Sequence, residues 1–203
     1  MKYVKMLGLT AMAAMAVMAF VGAGTASATE LYKGAETVKS GTTIDASLTG
    51  SATLTTTDGT VLDTCKAGTV KGKITNAGSS TSTVTGSIEE LHWTECTEPT
   101  VTLNKGGLEV HHIGGLDGSV TAIPNPHTGL LSEVTVNTTI FGSCVFTIAN
   151  GTSIGTLTGS TTGNATFDIN AVATRKSGLC PVSAKWVGTY LVTEPKPLHV
   201  TAS

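Results

Sequence analysis

Charged and aromatic side chains are both scarce in this chain of 203 residues. Charged residues make up 13% of the chain and aromatic residues 4%, and neither sign of charge forms a run. Nucleic-acid binding needs a concentrated basic surface, so the sequence predicts no nucleic-acid partner. Threonine and glycine are plentiful instead, with 38 and 24 residues. Because β-branched threonine suits strands and glycine suits turns, this composition favours β structure.

The first 28 residues have the pattern of a secretory signal peptide. Residues 1–5 carry two lysines, an uncharged run follows, and the segment ends in the small residues Ala26, Ser27 and Ala28. A basic start, an apolar run and an Ala-x-Ala site together predict cleavage after Ala28. A retained membrane anchor is the alternative, since about 20 apolar residues span a bilayer. The run is only weakly apolar and no basic cluster follows it, so we expect a secreted or cell-surface protein.

Cleavage would leave residues 29–203 as a single domain. This part has 203 − 28 = 175 residues, which is an ordinary length for one domain. It loses two of the 12 basic residues and none of the 14 acidic ones, so its net charge is 10 − 14 = −4. No segment of it is apolar enough to predict a membrane span.

All four cysteines, Cys65, Cys96, Cys144 and Cys180, lie in this domain. An even number of cysteines in an oxidising compartment predicts two disulfides. Three pairings are possible, and we favour Cys65–Cys96 with Cys144–Cys180, because each bridge would then join neighbouring strands of one half. Zinc is the alternative, but it prefers clustered ligands such as C-x-x-C. The cysteines are 31, 48 and 36 residues apart, so no metal site is predicted.

Segments that alternate apolar and polar residues recur about every ten residues from Thr42 onward, separated by turn signals. The strongest hairpin signal is Asp58-Gly59, between the candidate strands 52–57 and 60–62. This pattern predicts an all-β fold, an antiparallel β-sandwich or barrel-like single domain. A β-solenoid is the rival, but it needs a constant repeat length that the chain lacks. A short helical turn is a candidate only near residues 31–39.

Three segments carry a resemblance to other proteins. They are residues 62–65 (LDTC), 155–171 (GTLTGSTTGNATFDINA) and 179–200 (LCPVSAKWVGTYLVTEPKPLHV). These segments resemble a group of exported bacterial β-rich proteins that has no assigned activity. The resemblance implies secretion and a β-rich fold, and it carries over no catalytic residue.

Two polar groups are weighed as reactive or metal sites. On a strand, Glu90 and His92 share one face, while Leu91 and Trp93 share the other and are expected in the core. An extracellular hydrolase could use Glu90 with His92, but a second carboxylate is not nominated by the sequence. The neighbours His111 and His112 point to opposite faces, so they cannot both bind one ion without a bulge. A solvated surface is the preferred interpretation of both groups.

Trp186 and Tyr190 form the candidate binding pair. They lie four residues apart on one face of a predicted strand, with Gly188 between them. Exposed rings in this arrangement can lie against sugar faces, which would make polysaccharide or a cell-surface component the partner. The alternative is a core position, because a chain with so few aromatics needs bulk inside its sheets.

No motif for a phosphate loop, a dinucleotide, a nucleophile elbow or an H-E-x-x-H zinc site is present, so no cofactor or reaction is predicted. The sequence therefore favours a secreted, non-catalytic protein with a binding or structural role. The alternatives are an extracellular hydrolase that acts on polysaccharide and a flat threonine ladder that orders water, as in ice-binding proteins. The ladder requires a regular solenoid.

Overall fold

The computed structural model describes residues 28–98 and 101–203, with the backbone alone for 101–104. The predicted signal peptide lies outside the described residues except for Ala28. Fourteen strands are present in the described part, and no helix. The strands are β1 Thr29–Lys33, β2 Glu36–Thr37, β3 Thr43–Thr56, β4 Val61–Ser79, β5 Ser82–Cys96, β6 Val101–Asn104, β7 Gly107–Gly114, β8 Asp117–Ile123, β9 Glu133–Thr138, β10 Gly142–Thr147, β11 Ser153–Thr158, β12 Thr166–Ser177, β13 Ser183–Glu194 and β14 Leu198–Ala202.

Eight of these strands close into an antiparallel barrel. They follow the order β11-β8-β7-β5-β4-β3-β13-β12, and pairing of β12 with β11 completes the ring. The all-β, barrel-like prediction is confirmed, and the solenoid rival is not what forms. Closure gives each strand an interior and an exterior face, which explains the alternation of apolar and polar residues along the sequence.

The turn between β3 and β4 is the hairpin that Asp58-Gly59 indicated. Thr56 and Thr60 pair across it, with 2.8 Å from the Thr56 nitrogen to the Thr60 oxygen, and Gly59 has a φ of 89°. Both flanking strands are longer than predicted, because irregular register lets each continue through glycine-rich stretches. In β3 the irregularity surrounds Gly50, whose φ is 75°.

A second set of strands branches from β12. Its first residues, 166–169, pair with β11, whereas residues 174–177 pair with β10. Beyond β10 the sheet continues through β9 to β6. β7 pairs with residues 84–87 of β5. Among the described pairs, the later residues of β5 have no partner in β7. The barrel wall is therefore continuous at one end and divided at the other.

The two ends of the described chain meet at the continuous end of the barrel. β1 pairs along its whole length with β14, from Thr29 opposite Ala202 to Lys33 opposite Leu198. Leu198 lies beside a barrel loop, since its carbonyl accepts a hydrogen bond from the Ser160 nitrogen at 2.8 Å. The pair thus covers this end of the barrel. The helical turn considered near residues 31–39 is wrong: this stretch forms β1 and β2, which are stabilised by pairing with a distant strand.

The barrel interior contains two apolar clusters. The first lies beneath β1 and β14, and the second lies near the Cys144–Cys180 disulfide. The fully or nearly buried members of the first include Leu31, Val84, Val120, Leu157, Val192, Leu198 and Val200. Those of the second include Leu54, Val136, Phe146, Ala173 and Ala184.

Both disulfides form with the predicted pairing. Cys65–Cys96 joins directly opposed residues of β4 and β5, with an S–S distance of 2.04 Å. Cys144–Cys180 joins β10 to the connection between β12 and β13. The second bridge therefore ties the branch of extra strands to the barrel.

Removing either disulfide should lower the free energy of unfolding by about 3–4 kcal/mol in the chain-entropy relation. The loops span 31 and 36 residues, so Cys65→Ser/Cys96→Ser and Cys144→Ser/Cys180→Ser should lose similar amounts. Urea unfolding of both double variants measures this loss. Alkylation of the unreduced wild-type protein is the control and should add no mass. Unchanged urea midpoints would contradict the prediction.

Gly78 should be essential to the contact between β1 and the barrel. Its φ is 85°, and a Cβ there would lie 1.7 Å from the Thr29 carbonyl oxygen. At Gly59 the φ is 89° but no atom lies within 4 Å of such a Cβ. Gly59→Ala should therefore cost about 1 kcal/mol for the backbone alone, and Gly78→Ala roughly 1–3 kcal/mol more for the clash. Equal urea midpoints of the two variants would contradict this.

Candidate functional site: an apolar cavity inside the barrel

A β-bulge in β5 determines which of its side chains enter the barrel. Glu90 lies opposite Lys71 while Ile88 lies opposite Gly72, so Glu89 is an extra residue without its own partner. A one-residue insertion exchanges the two faces of a strand. The even-numbered residues 84, 86 and 88 line the interior before the bulge, together with Ser87, and the odd-numbered residues 91 and 93 line it afterwards.

The interior side chains leave a cavity of about 190 Å³ between the two apolar clusters. It is lined by residues of the barrel strands, of β9 and β10, and of the β1–β14 pair, and nearly all of them are apolar. The cavity exists partly because several interior positions carry little or no side chain: Ala46, Gly72, Gly86 and Ala171. The larger lining residues include Ile44, Val70, Ile88, Leu91, Leu108, Phe146, Phe167 and Ile169.

Three aromatic residues meet at one side of this cavity. Trp93 of β5 and Trp186 of β13 have ring centroids 4.6 Å apart at an interplanar angle of 49°. The Trp93 Nε1–H donates a hydrogen bond of 2.9 Å to the Tyr190 hydroxyl oxygen. β5 and β13 are separated in the sheet by β4 and β3, so these contacts cross the interior. Gly68 leaves space for the Trp93 ring, since a Cβ there would lie 2.8 Å from Trp93 Cδ1.

Tyr190 contributes a hydroxyl group to this aromatic cluster of Trp93, Trp186 and Tyr190. It is 3% exposed, whereas Trp93 and Trp186 are half-buried. Burial raises the pKa of the Tyr190 phenol, and hydrogen bonds from the two indoles oppose part of that rise. An indole N–H is only a donor, so the phenol oxygen acts as the acceptor. The interior therefore holds a neutral hydroxyl at neutral pH.

Trp186 and Tyr190, the predicted binding pair, lie on the same face of β13 as expected, but that face points into the barrel. Both residues line the cavity and do not form a platform on the outer surface. A role in ligand binding stays a prediction, now tied to an interior site. The residue that sequence reasoning left out is Trp93, which was expected only as a core residue. The sequence feature that could have indicated Trp93 is the scarcity of tryptophan, since Trp93 and Trp186 are the chain's two tryptophans.

Glu90 and His92 lie on the outer face of β5, as alternation predicts, and both are exposed. The Glu90 carboxylate is 3.8 Å from the Lys71 ammonium group. An exposed ion pair of this kind contributes little to stability. The hydrolase alternative that rests on this pair stays a prediction.

The histidines and the cysteines do not converge on an ion site in the described part of the chain. His111 Nε2 is 3.2 Å from a Glu109 carboxylate oxygen, while His112 Nε2 contacts the Gly115 carbonyl oxygen at 3.2 Å. Asp63 lies close to the sulfurs of Cys65 and Cys96. Those sulfurs form a disulfide, however, and a metal ligand must be a thiolate.

Asp63 has a structural role instead. It is fully buried, and its carboxylate accepts hydrogen bonds from Thr97 Oγ1 at 2.8 Å and from the Glu98 nitrogen at 3.1 Å. Carboxylate hydrogen bonds of this kind are among the stronger ones in proteins. Asp63 thereby holds the chain where it leaves β5, next to the Cys65–Cys96 bridge.

No protein-family model, curated protein or solved structure matches this chain. The resemblance to a group of exported bacterial proteins stays a prediction for that reason. In residues 28–98 and 101–203 the structure has no helix with the length and apolar character needed to span a bilayer.

The raised pKa of Tyr190 gives a prediction for alkaline pH. The unfolded chain ionises near the ordinary tyrosine value of about 10, and the folded chain ionises at higher pH. The neutral phenol therefore stabilises the fold fully below pH 10, and this contribution is lost as the pH rises from there toward the folded pKa. Urea unfolding at increasing alkaline pH should show this decline in wild type and a smaller one in Tyr190→Phe.

The pKa itself is measured by ultraviolet titration of a Tyr32→Phe variant. This variant leaves Tyr190 and Tyr3, and Tyr3 lies in the predicted signal peptide. Tyr32 has to be removed because its pKa is also raised, by its hydrogen bond to Glu30. A folded variant that titrates at the ordinary tyrosine pKa would contradict the buried position of Tyr190.

Proposed function

We propose that this protein is an exported, non-catalytic binding protein that takes a small apolar molecule into the barrel cavity. The observation that carries the proposal is the apolar cavity of about 190 Å³ within a closed eight-stranded barrel. Barrels of eight strands are wide enough to hold one small ligand. Ligand sites are typically concave and apolar, with a few polar groups that fix orientation. The Trp93–Tyr190 contact is such a group.

The cavity volume limits the size of the ligand. An engineered apolar cavity of about 150 Å³ in another protein binds benzene. In proportion, 190 Å³ suits a molecule of about eight non-hydrogen atoms. A single ring with a short substituent meets this limit, whereas a polymer does not. Transfer of such a molecule from water into an apolar cavity is favourable.

The divided part of the barrel wall supports entry at the side of β5. β7 leaves β5 after residue 87, and Leu91 and Trp93 follow on the interior face beyond that point. Trp93 and Trp186 are half-buried, whereas Tyr190 is buried, so the two indoles are the members of this aromatic group that solvent reaches. A ligand that enters along this strand would first contact the two indoles.

Export is the part of the proposal that rests on the sequence and the cysteines. The pattern of residues 1–28 is that of a signal peptide, and two disulfides are compatible with an oxidising compartment outside the cytoplasm. Binding of polysaccharide or of a cell-surface component, which the sequence suggested, would need a surface other than the inward-facing Trp186 and Tyr190 rings.

Ethylbenzene should bind the wild-type protein, change the tryptophan fluorescence and raise the melting temperature, because both tryptophans line the cavity. Ala171→Leu should weaken this binding at least tenfold, since the larger side chain occupies the cavity. Ala171 is 3% exposed. The variant should remain folded, because it fills empty space.

The matched control is Val172→Leu, which enlarges the next side chain on the outer face of the same strand. Val172 is 48% exposed, so its replacement should leave ethylbenzene binding unchanged. Fluorescence titration and thermal unfolding measure both variants. An ethylbenzene titration without effect on wild type, or equal affinities for wild type and Ala171→Leu, would overturn the proposed function.

A further inference from the structure

The Tyr190 hydroxyl group has an unused hydrogen-bonding capacity. It accepts a hydrogen bond from Trp93 Nε1 at 2.9 Å. Its own O–H proton has no acceptor among the described residues, although Tyr190 is 3% exposed. A buried donor without an acceptor is unfavourable, and buried polar groups in proteins are nearly always paired. The wall of the cavity thus offers one hydrogen-bond donor to whatever occupies it.

The direction of the existing hydrogen bond determines what Tyr190 can recognise. Because the indole can only donate, the phenol oxygen must accept, and the O–H proton remains free to donate elsewhere. With the Trp93 N–H directed at its oxygen, Tyr190 still has its own proton to donate.

Two serine hydroxyls also belong to the cavity lining, those of Ser87 and Ser132. Ser87 lines the cavity, and its Oγ donates to the Glu89 carboxylate. Glu89 is the bulge residue of β5, so this hydrogen bond belongs to the wall itself. Tyr190 is the hydroxyl that the Trp93 indole holds beside the aromatic rings of the lining.

We propose that the ligand is a small apolar carbonyl compound, a ketone or ester of about eight or nine non-hydrogen atoms, whose oxygen accepts the Tyr190 proton. This inference rests on the proposed function, since it names the chemical class that the cavity takes. A carbonyl group has an acceptor and no donor, so it satisfies Tyr190 and leaves no proton of its own unpaired. An alcohol of the same size would bring a donor into surroundings that offer it little to bind.

Acetophenone and α-methylstyrene are a suitable pair of probes. They have the same number of non-hydrogen atoms and closely similar shapes, and they differ by a carbonyl oxygen in place of a methylene group. Dissociation constants of both probes are measured by calorimetry on purified wild type, Tyr190→Phe and Tyr32→Phe. Within each protein, the ratio of the two dissociation constants removes the contribution of probe size to binding. Comparison of this ratio between proteins removes the contribution of probe hydration.

Tyr190→Phe should lower the preference for acetophenone over α-methylstyrene by about five- to tenfold, which is the usual effect of one neutral hydrogen bond. Tyr32→Phe removes a partly exposed hydroxyl outside the cavity lining and should leave the preference unchanged. 1-Phenylethanol, an alcohol of the same size, should bind wild type less tightly than acetophenone does.

Infrared spectroscopy of bound acetophenone gives a test that does not depend on a variant. Its carbonyl stretch should lie at lower wavenumber in wild type than in an alkane solvent, because hydrogen bonding weakens the C=O bond. A carbonyl frequency equal to that in alkane, or an unchanged preference in folded Tyr190→Phe, would overturn the role of Tyr190. α-Methylstyrene binding would then still support the cavity function. Failure of both probes to bind would overturn the proposed function and this inference together.

Discussion

Hydrogen bonding between β11 and β12 is the contact on which the interior of this protein depends. It joins the first and last strands of an eight-stranded series and turns an open sheet into a ring. The strands approach closely there: a Cβ at Gly155 would lie 2.1 Å from the Asp168 carbonyl oxygen, so a glycine is required. Closure removes the two edges of the series and encloses apolar side chains on all sides. Without it, the wall of the cavity would be exposed to water.

The remaining elements complete this enclosure at its two ends. The β1–β14 pair covers the end where the wall is continuous, and buried Leu31 and Leu198 of that pair line the cavity. At the other end, β12 departs from β11 and pairs with β10, which Cys144–Cys180 joins to the connection before β13. The cavity lies between an apolar cluster at each end. The number of strands fixes the width of the ring, and the small residues on its inner face leave the cavity unfilled.

One polar contact distinguishes this interior from a simple apolar core. A tryptophan of β5 and a tyrosine of β13 meet across the barrel, and their hydrogen bond places a phenol beside the cavity. Burial keeps that phenol neutral, and the indole orients it as a donor. An apolar space with one oriented donor favours ligands that are mostly hydrocarbon and carry one acceptor. The proposed chemistry therefore follows from a pair of residues separated by 97 positions in the chain.

Local features of the sequence determined the strand-rich fold, the hairpin at Gly59 and the face of β5 that carries Glu90 and His92, because alternation and turn preferences act between near neighbours. The favoured cysteine pairing was also confirmed. Alternation separates two faces of a strand, but it does not say which strands meet, so closure, the pairing of the chain ends and the bulge at Glu89 were decided by the tertiary structure. The meeting of Trp93 with Tyr190 depends on that closure, since the ring alone brings their strands face to face.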